Sequence, residues 1–395
     1  MTTPKVSVII PTYNRASFLL QAIDSVLQQT LSDFEIIVVD DGSTDDTEAV
    51  VKVYGDQVRY VWTPNGGVAH ARNVGMQHAR GTYLTFLDSD DLLYPYALEL
   101  QTQLLGRFPD VSMVCAEMTG FDDRGFVARY HMKAYHSSSF RDPSVTYESI
   151  FSSSMPLLNA CDVPEDVLRD DPSLRDRRVY YGNIFDSYIL RIVIFQNTAM
   201  LRREVVAEIG PRNEHVYNFE EMDYLLRLSR HHDILFADIP TYKLRYHEGQ
   251  ISTTVRSDGT LVWARKQRAL LRVIKRHTFA DQTYYHRHRQ RLDRHLADLH
   301  RAAAVPLMLL GEGHAARKRY VRCARLHLAR CRNYGNPQRA LHAASFLPGP
   351  VRRAAVAVME GVRRDGVATT VGRALRVISR HPLALTIERP FRILS

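Results

Sequence analysis

The chain has 395 residues, of which 45% are hydrophobic and 24% charged, with a net charge of +9. That length predicts a large core plus a second unit, and the composition is that of an ordinary soluble globular protein. The longest apolar-looking piece, residues 302–310, falls far short of the roughly 20 residues a membrane-spanning helix needs, which excludes a chain that crosses a bilayer by itself. The basic excess is uneven. From residue 261 onward there are 28 Lys and Arg against 7 Asp and Glu, a local net of +21, so residues 1–260 carry −12 of the overall +9. Such asymmetry predicts contact with polyanions or an anionic membrane.

The four cysteines, Cys115, Cys161, Cys323 and Cys331, form no C-x-x-C pair and no metal-finger spacing, so they read as reduced packing residues of a cytosolic protein. The first residues lead straight into Val6-Ser7-Val8-Ile9-Ile10, without the charged n-region and long apolar stretch of a signal peptide.

A β-rich run over 5–10 ends in Pro11-Thr12-Tyr13-Asn14-Arg15, and helical spacing of Phe18, Leu19, Ala22, Ile23, Val26 and Leu27 follows. A second strand over 34–39 closes in Asp40-Asp41-Gly42-Ser43-Thr44-Asp45, before a helix through about residue 52. A third strand over 58–62 passes through Asn65-Gly66-Gly67 into a helix over 68–79. The fourth, over 83–87, runs into Asp88-Ser89-Asp90-Asp91, and a helix after Pro95 extends to about residue 108. Strands alternating with helices at this spacing predict right-handed crossovers and a parallel sheet, whose ligands bind beyond the carboxyl ends of the strands. Thr12 and Asn14, Asp40 and Asp41, Asn65 and Gly66, and Asp88 and Asp90 are therefore expected to face one crevice.

Three carboxylates crowded into residues 88–91 repel one another unless a cation or a set of donors sits against them. Alone, such a triplet is ordinarily a helix cap. Arriving at the same edge as three other polar clusters, it points to a hard divalent ion, Mn²⁺ or Mg²⁺, held by one or two carboxylates with positions left open for a substrate's phosphates.

The segments 6–15, 38–45, Asn65-Gly66-Gly67-Val68-Ala69-His70-Ala71-Arg72-Asn73-Val74-Gly75 and 86–91 resemble, in order, the successive motifs of family 2 glycosyltransferases. The resemblance is close over roughly the first 110 residues, with further matches to about residue 255. It implies a GT-A fold, a Rossmann-like and mostly parallel sheet flanked by helices, and an inverting transfer from a nucleotide-diphosphate sugar, with a UDP-sugar the expected donor. It further implies a donor site of Pro11, Thr12, Tyr13, Asn14, Asp40, Asp41, Asn65, Arg72, Asp88 and Ser89. In that site Asp40 and Asp41 meet the base, Arg72 forks onto the diphosphate or ribose, and Asp90 lies nearest the metal with Asp88 beside it. His70 is read as a packing or loop residue.

Past residue 111 the pattern loosens, and 137–178, rich in Ser, Pro and Asp, is expected to border the acceptor site. Residues 192–203 read as a strand leading into a helix that ends near Gly210. Asn218-Phe219-Glu220-Glu221-Met222-Asp223-Tyr224-Leu225-Leu226-Arg227 reads as a helix with Asp223 and Arg227 as an i, i+4 pair. The family's corresponding segment usually reads Glu-Asp-Trp-Asp with its second acid as general base. That position is Glu221 here, and the change of residue leaves Glu220 as the other candidate. Arg245-Tyr246-His247 resembles the family's later His element, which places His247 at the metal or the diphosphate.

Beyond residue 260 the chain reads as Arg-laden helices over 264–276, 284–305 and 315–332, with Pro306 ending or kinking the second. In 351–380 Val351, Val358, Val362, Val367, Val371, Leu375 and Ile378 interleave with basic residues. Two accounts stand open here, a helical appendage with solvated Arg faces and attachment to an anionic membrane. The expected organisation is thus a GT-A domain over 1–258, split into a nucleotide-sugar half (1–110) and an acceptor half (111–258), with a basic helical region over 259–395. The expected activity is hexosyl or N-acetylhexosaminyl transfer to a glycan or lipid-linked hydroxyl. It would occur in the cytoplasm or on the inner face of the plasma membrane, without nucleic acid. The competing readings are a sugar-phosphate nucleotidyltransferase and a non-catalytic polyanion-binding or membrane-binding module.

Overall fold

The computed structural model describes residues 3–136, 139–216, 218–247, 250, 259–309 and 356. The chain divides into two compact units, residues 1–254 and 255–395.

The first unit is built on one mixed sheet. Its strands in chain order are β1 (Val6–Thr12), β2 (Phe34–Asp40), β3 (Val58–Trp62), β4 (Tyr83–Phe86), β5 (Leu92–Leu93) and β6 (Val111–Asp122). They are followed by β7 (Gly125–Ala128), β8 (Ser153–Pro156), β9 (Arg178–Gly182), β10 (Met200–Arg202) and β11 (Asp233–Arg245). The spatial order is β3-β2-β1-β4-β10-β6-β11-β9-β8, with β5 on β11 and β7 on β6. The β3-β2-β1-β4 half is parallel. Its helices, Ala16–Leu27, Thr47–Lys52 and Val68–His78, are the crossovers between successive strands. β1 is buried at every position, which is why its sequence is mostly apolar, with only Ser7 and Thr12 polar, instead of alternating. Helix Val68–His78 comes close to β1 because residue 75 is glycine: a Cβ there would lie 2.3 Å from Ile9 Cγ2.

The second half of the sheet departs from the simple alternation. β10 enters antiparallel to both β4 and β6, while β6 and β11 pair in parallel over most of their length. Neither long strand is evident in the sequence, because buried Glu117, Thr119, Asp238 and Thr241 interrupt their apolar pattern. Pro240 sits where the β6–β11 register slips, a bulge at which a missing N–H costs no ladder bond. The strand expected over 192–203 is confined to β10. Gln196–Thr198 forms a 3-10 turn, since its polar side chains are buried in side-chain contacts that a straight ladder would deny them. The Ser-rich and Pro-rich stretch after residue 137 contains β8, β9 and several short helical turns.

The second unit contains helices Gly259–Ala280 and Gln282–Leu309, which pack on each other and include buried Leu271, Ile274, Leu292 and Leu296. Asp281 separates them and caps the second, its Oδ1 accepting the Tyr284 N–H at 2.9 Å. The second helix continues through Pro306 to Leu309 instead of ending there. The helices expected over 315–332 and 351–380 lie outside the described residues, apart from Val356. Among the described residues no helix is long and apolar enough to cross a membrane.

Candidate active site

Three loops at the carboxyl ends of β1, β2 and β3 are fastened into one wall. Asn14 adopts a left-handed backbone (φ 51), a conformation Asn tolerates better than most residues. From there its N–H donates to Ser43 Oγ at 2.9 Å and its Oδ1 accepts the Thr44 N–H at 2.8 Å. Asp40 Oδ1 accepts the Ser43 N–H at 2.8 Å and Oδ2 accepts the Tyr60 hydroxyl at 2.6 Å. Asp41 uses both oxygens on the third loop, accepting the N–H groups of Gly66 and Gly67, each at 2.8 Å. Asn65 Nδ2 donates back to the Asp41 carbonyl at 2.9 Å. Gly42 (φ +79) is required where these loops cross, because a Cβ would fall 2.9 Å from the Asn65 nitrogen. Pro11 and Thr12 end β1 buried, Tyr13 is exposed, and Thr12 Oγ1 is left without a hydrogen-bond partner.

The acidic segment after β4 separates into three environments. Asp88 accepts from Arg72 Nη2 at 2.8 Å through Oδ1 and from Asn197 Nδ2 through Oδ2. Asp90 Oδ2 lies 3.1 Å from His247 Nε2 and 3.9 Å from Arg15 Nε. Phe18 backs the imidazole, with ring centroids 4.6 Å apart. Asp91 points inward and accepts the Tyr242 hydroxyl and the Arg245 N–H, each at 2.7 Å. Burial, and next the charges of Asp90 and Asp88, push its carboxyl well above the usual range. Arg245 braces the same turn, donating from Nε to the Asp90 carbonyl at 2.8 Å and from Nη2 to Gln21 Oε1 at 2.7 Å.

Arg72 joins this segment to the helix Glu220–Ser229. It is buried, with Nη1 3.0 Å from Glu220 and 2.8 Å from Glu221 and Nη2 on Asp88. Its guanidinium thus forks onto three carboxylates. A buried guanidinium beside that much negative charge satisfies it before any ligand arrives, and its pKa is raised accordingly. The two glutamates differ in access. Glu220's side chain is 8% exposed, whereas Glu221's is 27% exposed and lines a cavity. Burial raises the Glu221 pKa, Arg72 opposes the rise, and Glu220 and Asp88 add to it. Asp223 and Arg227 make the expected pair, 3.4 Å apart.

The structure brings Asp88, Arg72, Glu220 and Glu221 into one network and sets Asp90 with His247 beside it. Ser89 is buried in the connecting turn. Asp88, expected to share the metal with Asp90, has both oxygens occupied by Arg72 and Asn197. Among the described residues no group of three or more His, Cys, Asp and Glu side chains forms a metal cage. A carboxylate and an imidazole side by side nonetheless suit a divalent ion that takes its other ligands from a phosphate-bearing substrate. Asn197, Tyr242 and the bracing role of Asp91 are additions to the sequence reading. The signal for Asn197 was an amide inside the apolar run 192–201; Tyr242 left none.

Residues 7–157 match the family model of glycosyl transferase family 2. An uncharacterised glycosyltransferase of Rickettsia prowazekii is 44% identical over 115 residues, 29% of this chain and 36% of that protein. The hyaluronan synthase of Pasteurella multocida is 47% identical over 100 residues, 25% of this chain and 10% of the synthase. The match thus spans about a third or less of the length of these relatives. Among solved structures, S. aureus TarS 1–349 in complex with UDP-GlcNAc shares the fold, with a TM-score of 0.52 over 94% of this chain and 92% of that one, at 18% identity. The architecture is that of GT-A glycosyltransferases.

Proposed function

From the premise that residues 7–157 are a glycosyl transferase family 2 domain, we propose that the chain transfers a sugar, with inversion, from a UDP-sugar to a hydroxyl of a glycan or lipid-linked acceptor. The catalytic unit in this reading is 1–258, and the basic region over 259–395 attaches it to an anionic membrane face. The observation that carries the proposal is the convergence at one sheet edge of the Asp90–His247 pair and the Asp88–Arg72–Glu221 network. UDP-GlcNAc bound in the TarS structure and the hyaluronan synthase relative support the donor class.

In this reading the nucleotide lies along the wall made by residues 11–15, 40–45 and 65–67, where Thr12 Oγ1 is left to pair with it. Asp90 and His247 would hold Mn²⁺ or Mg²⁺, and such an ion would supply positive charge to offset that of the nucleoside diphosphate as it leaves. Glu221 accepts the proton of the acceptor hydroxyl as that oxygen bonds to the anomeric carbon and the bond to the diphosphate breaks on the opposite face. Of the two glutamates only Glu221 reaches open space, so Glu220 serves as the anchor that keeps Arg72, and through it Glu221, in position.

Calorimetric titration of UDP, dTDP, GDP and ADP, with and without Mn²⁺, on the wild type and on Asp90→Asn tests the donor site. Selective, metal-dependent UDP binding that the substitution abolishes is expected. Absence of nucleotide binding in every condition would remove the transferase reading.

A further inference from the structure

Residues 210–219 connect the helix Arg203–Ile209 to the helix Glu220–Ser229, on which both candidate bases stand. Within them Glu214 makes two side-chain contacts that belong neither to the Arg72 network nor to the Asp90–His247 pair. Its Oε1 accepts from Asn73 Nδ2 at 2.7 Å, and its Oε2 lies 3.3 Å from His70 Nδ1. Both partners sit on the helix Val68–His78, which also carries Arg72. Asn73 is only 5% exposed, and it grips the backbone of residue 212 at two points. Its Oδ1 accepts the Arg212 N–H at 2.8 Å and its Nδ2 donates to the Arg212 carbonyl at 3.0 Å. These bonds fix the orientation of the amide and make Nδ2 the donor to Glu214. From the other side Arg227 donates from Nη1 to the Ile209 carbonyl and from Nη2 to the Pro211 carbonyl. The connection is thus tied to the helix behind the donor-side wall and to the helix that bears Glu221.

His70 carries the tie into the wall itself. Its Nε2 is 3.0 Å from Thr63 Oγ1, and the Thr63 N–H donates to the Asp40 carbonyl at 2.9 Å. A Cβ on residue 66 would fall 2.6 Å from the imidazole, so the ring lies against the glycine loop whose N–H groups Asp41 holds. The Asn73 amide, and after it His70, hold the Glu214 carboxyl below its usual range against the opposing effect of burial. An ionised carboxylate only accepts, so His70 Nδ1 carries the proton, and in the neutral ring Nε2 accepts from the Thr63 hydroxyl. Arg72 fixes the glutamate side chains, whereas this clamp fixes the backbone from which their helix starts. Both are needed, since a misplacement of about 1 Å at a reacting group can cost about a hundredfold in rate.

Resting on the transferase reading, we infer that Glu214 is a positioning residue: held between Asn73 and His70, it sets the helix that presents Glu221 against the donor-side wall, and it does so by hydrogen bonding instead of by charge. UDP release from UDP-GlcNAc with water as acceptor tests this on the full chain. In that reaction the water oxygen bonds to the anomeric carbon, the bond to UDP breaks, and a water proton goes to Glu221. Glu214→Ala is expected to lower kcat about tenfold or more while UDP affinity by calorimetry stays within about twofold. Glu214→Gln should stay within about threefold of wild type in kcat. Its carbonyl accepts from Asn73, and His70 can shift its proton to Nε2, toward Thr63, and accept the amide N–H at Nδ1. In the Glu221→Gln background, adding Glu214→Ala should change kcat by less than about twofold, because nothing is left to position. Hydrogen exchange of the ligand-free chain should be about tenfold faster over residues 212–216 and 223–226 in Glu214→Ala, with β1 and β2 unchanged, and wild-type in Glu214→Gln. Unchanged exchange there in Glu214→Ala, a tenfold loss that persists in the Glu221→Gln background, or a Gln variant as impaired as Ala would each overturn the inference. If Glu214→Ala does not fold, His70→Ala, which cuts only the more exposed arm, is read in the same way. If the wild type does not turn over UDP-GlcNAc, the exchange comparison decides, and failure to bind UDP tells separately against the transferase reading.

Discussion

Arg72 is the residue on which the candidate site depends most. Its guanidinium neutralises Asp88, Glu220 and Glu221 while buried, so removing it leaves three acids without their shared counter-charge. Breaking such a buried arrangement typically costs about 3–5 kcal/mol, and Arg72→Met is expected to lower stability to urea by that order. Arg72→Lys keeps the charge but not the two-armed geometry, and should fall between Met and wild type in the same measurement. Glu221 tests the chemistry. Glu221→Gln should lower kcat by roughly 10²–10⁴ while leaving UDP affinity intact, whereas Glu220→Gln should act mainly on stability. A base works deprotonated, so activity falls as pH drops through its pKa. With that pKa raised by burial and by Glu220 and Asp88, the acid limb of kcat against pH should lie above the ordinary carboxylate value of 4.5. A limb at or below 4.5 would tell against Glu221 as the base.

At the scale of elements, two features tie packing to measurable stability. Gly75 lets the helix Val68–His78 lie against β1, and a methyl group there meets Ile9 at 2.3 Å. Gly75→Ala should therefore cost about 1–3 kcal/mol, despite alanine's better helix propensity. Glu117, on β6, accepts the N–H groups of Met118 and Met132 at 2.8 and 2.7 Å, and the second bond holds the helix that carries Tyr135. Burial, opposed by those bonds and assisted by Asp238, pushes its pKa from 4.5 up to about 7. An acid whose pKa is raised on folding holds a proton that the unfolded chain releases. Its contribution is therefore most favourable below 4.5 and is lost as pH rises toward 7, by roughly 3 kcal/mol at most. Thermal melts of wild type and Glu117→Gln between pH 4.5 and 8 should show this loss in the wild type alone. Glu117 also explains what the sequence could not disclose. The first four strands were legible because each is a short run rich in β-branched, aliphatic and aromatic residues that leads into a polar cluster, and those clusters proved to share an edge. β6 and β11 were hidden by buried acids and threonines, whose partners come from distant segments. Arg72 was visible as a motif residue, but its partners at 220 and 221 arrive through the tertiary fold, so its role could not be read locally.

For the whole molecule the question is what the charge asymmetry does. The +21 carried by residues 261–395 exceeds the net charge of about 2–8 that suits a small soluble domain, and in the described part the basic residues are arranged by face. Arg272, Arg276, Arg287, Arg289, Arg291 and Arg294 are exposed, while Leu271, Ile274, Leu292 and Leu296 are buried. The apolar side is thus already used for packing, and what the helices offer outward is charge. Attachment by this part should accordingly be electrostatic, at about 1 kcal/mol per basic residue near an anionic surface, and steeply weakened by salt. Replacing Arg287, Arg289, Arg291 and Arg294 together with Gln should weaken co-sedimentation with phosphatidylserine vesicles by at least about tenfold at low ionic strength. The same variant should bind UDP as the wild type does. Vesicle binding that survives both the four substitutions and high salt would mean that the attachment is hydrophobic or lies elsewhere in the chain. Loss of binding with UDP affinity unchanged would separate the two units by function: one takes the donor, the other brings it to the surface where the acceptor lies.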